Sequence, residues 1–203
     1  MPIPLRLTIA VVVVSAVATV LWMTREDQRN RLVWDHFDVV KPNILYRSGQ
    51  LNLDQLEAAV RTYGIRTVIS FQFPGPAVAR ERALAKKLGI DFINLPMPGD
   101  GFGREEQFRE VLAATDDPER RPVLIHCARG TCRTGAAVAL YRLERDGWTL
   151  EDVAAEMARQ TYRHGWLPGY VYGMVQEKPC AELCEPPIAR DHNLPIAEKA
   201  DAR

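Results

Sequence analysis

The segment PVLIHCARGTCRTG, residues 122–135, decides how the rest of the chain is interpreted. Its first four residues form an apolar run that is typical of a short buried strand. The residues from Thr134 to Arg145 are rich in apolar side chains and predict a long helix. Residues 127–133, here called the anion loop, contain two cysteines, a glycine and two arginines. A polar loop therefore joins two buried elements.

Short strand patterns alternate with helical patterns on both sides of this segment. Strands are expected at residues 43–50, 66–71, 91–95 and 122–125. Helices are expected at residues 53–63, 77–88, 105–114, 134–145, 149–161 and 169–178. Thr149, with Asp152 three residues later, is a capping pattern that supports the fifth helix. The alternation predicts an α/β fold in which a central, mainly parallel sheet is flanked by helices on both faces.

Composition excludes several classes of protein. Lysine and arginine number 26, as do aspartate and glutamate, so no overall positive charge favours nucleic acid as a partner. Four cysteines in 203 residues do not suggest a disulfide scaffold. Cys180 and Cys184 are spaced four apart, but a zinc site needs two further ligands and His192 alone is poor support. We expect no metal, no other cofactor and no nucleic acid.

The anion loop predicts an anion site with a nucleophilic sulfur. In α/β folds ligands bind at the carboxyl ends of strands, where Cys127 lies. Inward-pointing backbone N–H groups and the positive end of the following helix attract an anion, and Arg133 offers two parallel donors. The same field favours the thiolate of Cys127, which is the nucleophilic form. The residues expected to contact the phosphate are Ala128, Arg129, Gly130, Thr131, Cys132 and Arg133.

Three neighbouring residues receive supporting roles. Thr134 is expected to hydrogen-bond the sulfur and help it to leave in a second step. His126 is expected to orient the loop through hydrogen bonds without transferring protons. Cys132 has two interpretations: a small loop residue, or a redox partner that resolves an oxidised Cys127.

The pattern His-Cys, five residues, then Arg at 126–133 resembles the signature of the cysteine-dependent protein tyrosine and dual-specificity phosphatases. Further segments resemble the compact atypical dual-specificity phosphatases of bacteria, fungi and plants. They are LYRSGQ (45–50), GIRTVISF (64–71), INLPM (93–97), PVLIHC (122–127), the RTG…YR run (133–142) and GWTLEDVAAEM (147–157). The resemblance covers residues 37–175. It implies a phosphocysteine intermediate, no metal, and substrates among phosphotyrosine proteins, phosphoinositides or inositol phosphates.

One position departs from part of that family. Relatives that act on highly phosphorylated inositols often carry lysine within the loop, whereas this chain has neutral Thr131. Arg129 is the residue able to supply the extra positive charge. The departure argues against an inositol polyphosphate substrate without excluding it.

Asp100, in the loop PMPGDGFG at 96–103, is the candidate general acid. It follows a strand, and the flanking Gly99 and Gly101 allow loop movement. The alternative is that Asp100 only serves a turn. Asp116 and Asp117 are weaker rivals that precede Pro118.

These residues predict a phosphoric monoester hydrolase with Cys127 as nucleophile, Arg133 as phosphate clamp and Asp100 as general acid. The expected partner is a phosphorylated protein or a phosphoinositide. Two alternatives remain: a rhodanese-like sulfurtransferase, which also uses a cysteine on an anion-binding loop, and a non-catalytic phosphate-binding module.

The beginning of the chain differs in composition from the rest. Residues 7–24 carry no charge, and as a helix they would span roughly 27 Å, close to the roughly 30 Å of a bilayer core. The alternative is a cleaved signal peptide, because residues 16–18, AVA, resemble a cleavage site. Apolar residues continue beyond that site to Trp22, which suits a membrane interface.

We therefore expect a transmembrane anchor or signal segment over 1–24, a linker over 25–36, the phosphatase domain over 37–178 and a disordered tail over 179–203. The anchor predicts a single-pass protein of the bacterial inner membrane. Arginines that follow the span favour a cytoplasmic domain by one or two charges. A secreted or periplasmic domain is the alternative.

Overall fold

The computed structural model describes residues 14–17, 19, 34, 36–162 and 166–176. The chain divides into two compact units, Met1–Val33 and Trp34–Arg203, and the α/β fold lies in the second. The predicted tail, 179–203, and nearly all of the predicted linker, 25–36, lie outside the described residues.

The expected membrane placement is wrong. No helix among the described residues is long and apolar enough to cross a membrane. Within the expected span, residues 14–17 and 19 are described, and they are helical. The rest of that segment lies outside the described residues. The single-pass, inner-membrane interpretation and the assignment of a membrane side are therefore withdrawn.

Five strands form one sheet in the order β1-β2-β5-β3-β4. They are β1 (Asp38–Lys41), β2 (Leu45–Ser48), β3 (Thr67–Ser70), β4 (Asp91–Asn94) and β5 (Val123–His126). Only β1 runs antiparallel to its neighbour, and the other pairs are parallel. The central, mainly parallel sheet predicted from the sequence is confirmed. The edge strand β1 was missed, because three of its four residues are exposed and its sequence shows little apolar pattern.

Six helices of the second unit are described. They are α1 (Leu53–Tyr63), α2 (Pro76–Leu88), α3 (Glu105–Asp116), α4 (Cys132–Arg145), α5 (Leu150–Arg159) and α6 (Trp166–Val175). Helix α4 begins two residues earlier than expected, so Cys132 belongs to its first turn. Helix α6 lies three residues earlier in the chain than expected at both ends.

The helices cover both faces of the sheet. Val123 and Ile125 of β5 point into one apolar cluster, which α3, α4, α5 and α6 complete. Leu124, between them, points into a second cluster with residues of α1 and α2. Because β5 is buried on both faces, its sequence is a continuous apolar run without alternation.

The register brings three strand ends together. Ser48 at the end of β2 and Ser70 at the end of β3 both align with His126 at the end of β5. The chain then continues into Cys127 and the anion loop. The carboxyl edge of the sheet therefore lies directly beneath that loop.

Candidate active site

The anion loop begins where β5 ends, and Cys127 there is only 2% exposed. Gly130 N donates a hydrogen bond to Cys127 Sγ at 3.2 Å, so the loop curls around the sulfur. Gly130 has φ +75°, and a Cβ added there would lie 2.7 Å from backbone atoms of Ser48 and Gly49. Glycine is therefore the residue that permits the loop to approach the end of β2 so closely.

Two hydrogen bonds join the anion loop to the chain at the end of β2. Arg47 Nη2 donates to Gly130 O at 2.6 Å, and Gln50 N donates to Ala128 O at 3.0 Å. The Arg47 side chain is fully buried. Sequence reasoning used LYRSGQ as part of a predicted strand and for its family resemblance, and missed this contact, since nothing in the sequence alone pairs residue 47 with residue 130.

The amino-terminal end of α4 forms the upper part of the loop. The side chain of the N-cap residue, Thr131, makes no capping hydrogen bond. In contrast, Asn52 caps α1 and Thr149 caps α5. The first-turn N–H groups of a helix have no partner within the helix. At α4 these donors and the positive helix end remain available to an anion.

Arg133 extends from the first turn of α4 toward the end of β3. Its Nη1 donates to Phe71 O at 3.1 Å, and its Nε is buried without a hydrogen-bond partner among the described residues. The guanidinium is thus held at one nitrogen while other donors stay unused. A planar group with spare parallel donors suits a phosphate.

His126 lies beneath the loop and is 2% exposed. Its Nε2 lies 3.3 Å from Oε2 of Glu81 in α2, an ion-pair distance that lacks hydrogen-bond alignment. The interpretation of His126 as an orienting residue remains a prediction. Its nearest charged partner is a carboxylate that the sequence analysis did not single out.

Glu81 is itself 2% exposed and belongs to a polar chain. Gln50 Nε2 donates to Glu81 Oε1, and Gln72 Nε2 donates to Gln50 Oε1. The sequence does contain a signal for Glu81. It shares one helix face with the buried residues Val78 and Ala85, so helical spacing alone puts a carboxylate on an apolar face.

Cys132 lies in the anion loop and Thr134 follows it, but neither side chain is bonded to Cys127. Thr134 is fully buried, and its Oγ1 has no hydrogen-bond partner among the described residues, so the expected bond to the sulfur is not formed. The half-buried Cys132 Sγ lies 3.6 Å from Thr131 Oγ1. Cys127 and Cys132 are both free thiols, and the redox role of Cys132 stays a prediction.

The loop that carries Asp100 packs against the first turn of α4. Gly101 has φ +97°, and a Cβ added there would lie 3.0 Å from the carbonyl group of Cys132 and 2.8 Å from Leu167 Cδ2. Asp100 Oδ1 accepts a hydrogen bond from Phe102 N at 3.0 Å. Asp100 thus serves a turn in this structure, beside the anion loop.

Further contacts anchor the same loop. Tyr170 hydroxyl donates to Gly103 O at 2.6 Å, and the rings of Phe102 and Tyr170 lie 4.9 Å apart. Burial raises the pKa of the nearby Tyr162 to about 12. The Tyr170 contacts and the close packing of Gly101 on Cys132 hold the Asp100 loop beside the start of α4.

The rival carboxylates have other partners. Asp116 forms an ion pair with Arg145 at 2.7 Å, and that hydrogen bond holds the pKa of Asp116 below its usual value. Asp117 Oδ1 accepts from Glu119 N at 2.9 Å. These contacts lie at the far end of α3, where they stabilise a helix end and a turn.

The remaining loop residues differ in exposure. Ala128 and Arg129 are exposed, whereas Gly130 and Thr131 are buried. Arg129 is therefore positioned to meet the part of a substrate that lies outside the loop. Among the described residues, no group of three His, Cys, Asp or Glu side chains is arranged to hold a metal ion.

Buried polar atoms without hydrogen-bond partners gather at this edge of the sheet. Within the described part of the chain, they belong to Arg47, Ser48, Ser70, Glu81, His126, Arg133 and Thr134. Buried polar groups are normally satisfied, so a cluster of exceptions marks a site for a polar ligand. With a buried sulfur, a free helix end and a guanidinium, the fold and the site define the class of cysteine-dependent phosphatases.

Comparison with known proteins agrees with that class. The chain belongs to the family described as DSP-PTPase phosphatase fused to NAD+ kinase, whose model matches residues 22–165. The sequence resemblance to compact atypical dual-specificity phosphatases is therefore confirmed.

Two relatives and one solved structure illustrate the similarity. The dual specificity protein phosphatase TpbA of Pseudomonas aeruginosa is 32% identical over 116 residues, 57% of this chain and 50% of its own length. The inositol diphosphatase DSP1 of Oryza sativa subsp. japonica is 35% identical over 127 residues, 57% of this chain and 52% of its own length. The chain thus spans about half the length of the curated relatives it matches.

The catalytic core of the PP-IP phosphatase SIW14 of S. cerevisiae, solved with citrate, superimposes with a TM-score of 0.60. The superposition covers 68% of this chain and 85% of that one at 19% identity. At that identity the similarity supports the fold alone.

Proposed function

We propose that this chain hydrolyses phosphoric monoesters through a phosphocysteine intermediate on Cys127. The observation that carries the proposal is the buried Cys127 sulfur, which accepts Gly130 N–H at 3.2 Å beside a helix end that no side chain caps. A sulfur in that field is favoured as the thiolate. The same donors favour the charge that develops on the phosphoryl oxygens.

In the first step the Cys127 thiolate attacks phosphorus, a P–S bond forms and the P–O bond to the leaving group breaks. Arg133 holds two phosphoryl oxygens through its unused donors. Asp100, protonated, gives its proton to the leaving oxygen. This step requires the Asp100 side chain to exchange its turn contact with Phe102 N for the substrate.

In the second step water attacks phosphorus, and the Asp100 carboxylate accepts its proton. The P–S bond breaks, the thiolate is restored and inorganic phosphate leaves. The Thr134 hydroxyl, which has no partner among the described residues, is available to donate to the departing sulfur. His126 supports the loop from below through its pairing with Glu81.

The substrate is proposed to be a phosphotyrosine protein or a phosphoinositide. Relatives are named a dual specificity protein phosphatase and an inositol diphosphatase, which supports a phosphoprotein and, more broadly, a phosphorylated inositol group as substrates. Arg129 is the exposed cation of the loop, and its neighbour Thr131 is neutral and buried. One cation at the rim suits a substrate with few phosphates better than a highly phosphorylated inositol.

The decisive experiment compares Cys127→Ser with Cys132→Ser as its matched control. Cys127→Ser is expected to lower the hydrolysis of an aryl phosphate by about 10³-fold or more, because an alcohol at neutral pH is a far weaker nucleophile. Tungstate binding, followed by calorimetry, is expected to persist. Cys132→Ser is expected to remain active, because Cys132 is expected to meet the phosphate through its backbone N–H, which serine retains. Turnover that survives in Cys127→Ser would contradict the proposal.

A substrate panel then separates the two substrate kinds. The purified protein is offered phosphotyrosine peptides, soluble short-chain phosphoinositides and inositol polyphosphates, and phosphate release is measured. We expect kcat/KM to be highest for one of the first two. A preference for the polyphosphates would overturn the argument from Thr131. Thiosulfate:cyanide transfer without phosphate release would instead identify a sulfurtransferase.

A further inference from the structure

Arg47 is a buried arginine that no step of the proposed reaction uses. It lies in β2, between the antiparallel strand β1 and the parallel strand β5, and only 1% of its surface is exposed. Its Nη2 donates to Gly130 O at 2.6 Å, while its Nε has no hydrogen-bond partner among the described residues. A guanidinium has only donors and no acceptor, so the buried Nε–H of Arg47 is a donor that the fold leaves unmatched.

The charges around Arg47 are unusual for a buried cation. Burial lowers the pKa of Arg47, and the negative groups that oppose this are Glu156 in α5, Asp38 in β1 and the sulfur of Cys127; Arg142 in α4 acts in the same direction as burial. Glu156 is already held by Arg142 at 2.8 Å. No carboxylate of the described residues forms an ion pair with Arg47. Gly130 instead links Arg47 to the sulfur, because Gly130 O accepts from Arg47 Nη2 at 2.6 Å and Gly130 N donates to Cys127 Sγ at 3.2 Å.

The hydrogen bond to Gly130 also determines which way the loop N–H groups point. In a planar trans peptide the C=O and the following N–H point in opposite directions. Because Gly130 O is turned toward Arg47, the N–H of Thr131 is turned away from it. The bond from Gln50 N to Ala128 O has the same consequence for the N–H of Arg129.

We propose that Arg47 is a positioning residue for the anion loop. Its hydrogen bond turns the Gly130 carbonyl to the floor of the site and the following N–H toward the phosphate, and its buried charge stabilises the Cys127 thiolate from below. Arg133 acts on the phosphate from the other side. This inference rests on the proposed function, since it assigns a second arginine to the same site.

The experiment separates the positive charge of Arg47 from the planar shape of its donor group. Arg47→Gln retains an N–H donor without the charge, and Arg47→Lys retains the charge without the planar fork. All variants carry Cys132→Ser. Alkylation of the peptide that contains Cys127 by iodoacetamide is followed from pH 5 to 9 by mass spectrometry, and tungstate affinity is measured by calorimetry.

In Arg47→Gln we expect the midpoint of the alkylation profile to move to higher pH by about one unit, because a buried positive charge near the sulfur is gone. Tungstate affinity is expected to fall about tenfold, because any hydrogen bond that the glutamine amide donates to Gly130 O is no longer assisted by a positive charge. In Arg47→Lys the alkylation midpoint is expected to stay near that of the parent, while tungstate affinity falls.

The other groups that face Cys127 are common to every variant. They are, as titratable or charged groups of the anion loop and the elements beside it, His126 with Glu81, Arg133, Arg129 and Asp100, and position 132 is serine throughout. A difference in alkylation midpoint between Arg47→Gln and Arg47→Lys is therefore caused by the charge at position 47. A residue that only supported the fold would change stability without moving this profile.

Arg109→Met is the matched control. It removes a cation that pairs with Glu144, near the opposite end of α4 and roughly 18 Å along the helix from Cys132. We expect its alkylation profile and tungstate affinity to equal those of the parent. If Arg47→Gln does not fold, the Arg47→Lys variant still decides the matter, since unchanged tungstate affinity there would overturn the proposal.

Unchanged alkylation and tungstate binding in a folded Arg47→Gln variant would likewise overturn it. Neither measurement requires turnover. A failure of the proposed function would show instead as a parent protein that binds tungstate at Cys127 but releases no phosphate from any ester.

Discussion

The two ends of helix α4 differ in whether their polar side chains have hydrogen-bond partners. At the carboxyl end Arg142 donates to Glu156 and Asp146 and lies 4.3 Å from the centre of the Trp148 ring. At the amino end buried donors of Arg133 and Thr134 have no hydrogen-bond partner among the described residues. The same helix therefore has one end whose charges are paired and one end whose donors are unused.

This difference between the two ends indicates that one part of α4 stabilises the fold and another part is available for a ligand. A satisfied buried polar group contributes modestly to stability, whereas an unsatisfied one costs about 1–3 kcal/mol. The middle of α4, from Ala136 to Leu140, is almost completely buried in apolar contacts. That packing and the paired carboxyl end offset the cost of an amino end kept open for an anion.

The largest expected effect in this comparison is a loss of activity when the unused donors of Arg133 are removed. In Arg133→Lys we expect kcat/KM for an aryl phosphate to fall by about 10³-fold, because one ammonium cannot hold two phosphoryl oxygens in parallel. Both KM and kcat are expected to change in steady-state assays. A loss confined to KM would mean that Arg133 only binds the substrate.

The second effect concerns the loop that packs on the same helix end. Asp100→Asn is expected to slow turnover by about 10²-fold for esters with poor leaving groups, and much less for good ones, because only poor leaving groups need the proton. A series of aryl phosphates of graded leaving-group basicity measures this dependence.

Asp117→Asn is the control for that series, since Asp117 serves a turn at the far end of α3. It is expected to show the same leaving-group dependence as the parent. An Asp100→Asn variant with parental rates for poor leaving groups would leave Asp100 with the turn role alone.

The third expected effect is a loss of stability at the carboxyl end of α4, where Asp146 is paired with Arg142 and Lys41. Burial by itself would raise the pKa of Asp146, but hydrogen bonds from Arg142 and Lys41 hold it below its usual value. Asp146→Asn is expected to lower the free energy of unfolding at pH 7 by about 2 kcal/mol, with kcat unchanged. Urea unfolding with an activity assay measures both.

The pH dependence of that difference follows from the direction of the shift. Since the folded-state pKa is depressed, the stabilisation is present above the unfolded value of about 4 and is lost as the pH falls through the folded-state pKa. The gap between parent and Asp146→Asn should therefore close as the pH is lowered from 5 toward 2. A constant gap would mean that packing, not charge, causes the loss.

The smallest expected effect is a change in stability at the amino end of α4, where Thr134 lies. Thr134→Val removes a buried hydroxyl without a hydrogen-bond partner among the described residues, so the free energy of unfolding is expected to rise by about 1 kcal/mol. If Thr134 also assists the departing sulfur, the second step slows and the phosphocysteine accumulates in a burst assay. A variant less stable than the parent would show that the hydroxyl is satisfied in solution.

Much of the fold could be predicted because its patterns are local. The continuous apolar run of β5 and the helical spacing of α1 to α5 are visible in short windows of sequence. The edge strand β1 could not be predicted this way, because its exposed residues give no alternating pattern and only pairing with β2 defines it. The membrane anchor was inferred from the composition of 7–24 alone, and the described residues give it no support.

The sequence by itself determined which reactive side chains the anion loop carries, because Cys127, Gly130 and Arg133 lie within seven residues and their spacing is fixed by the chain. Only the tertiary structure decided what lies beneath that loop. Arg47 and Glu81 come from a strand and a helix that are 83 and 45 residues away in the chain from their partners, Gly130 and His126. The physical reason is that the register of a parallel sheet, set by packing of both its faces, brings such distant positions together.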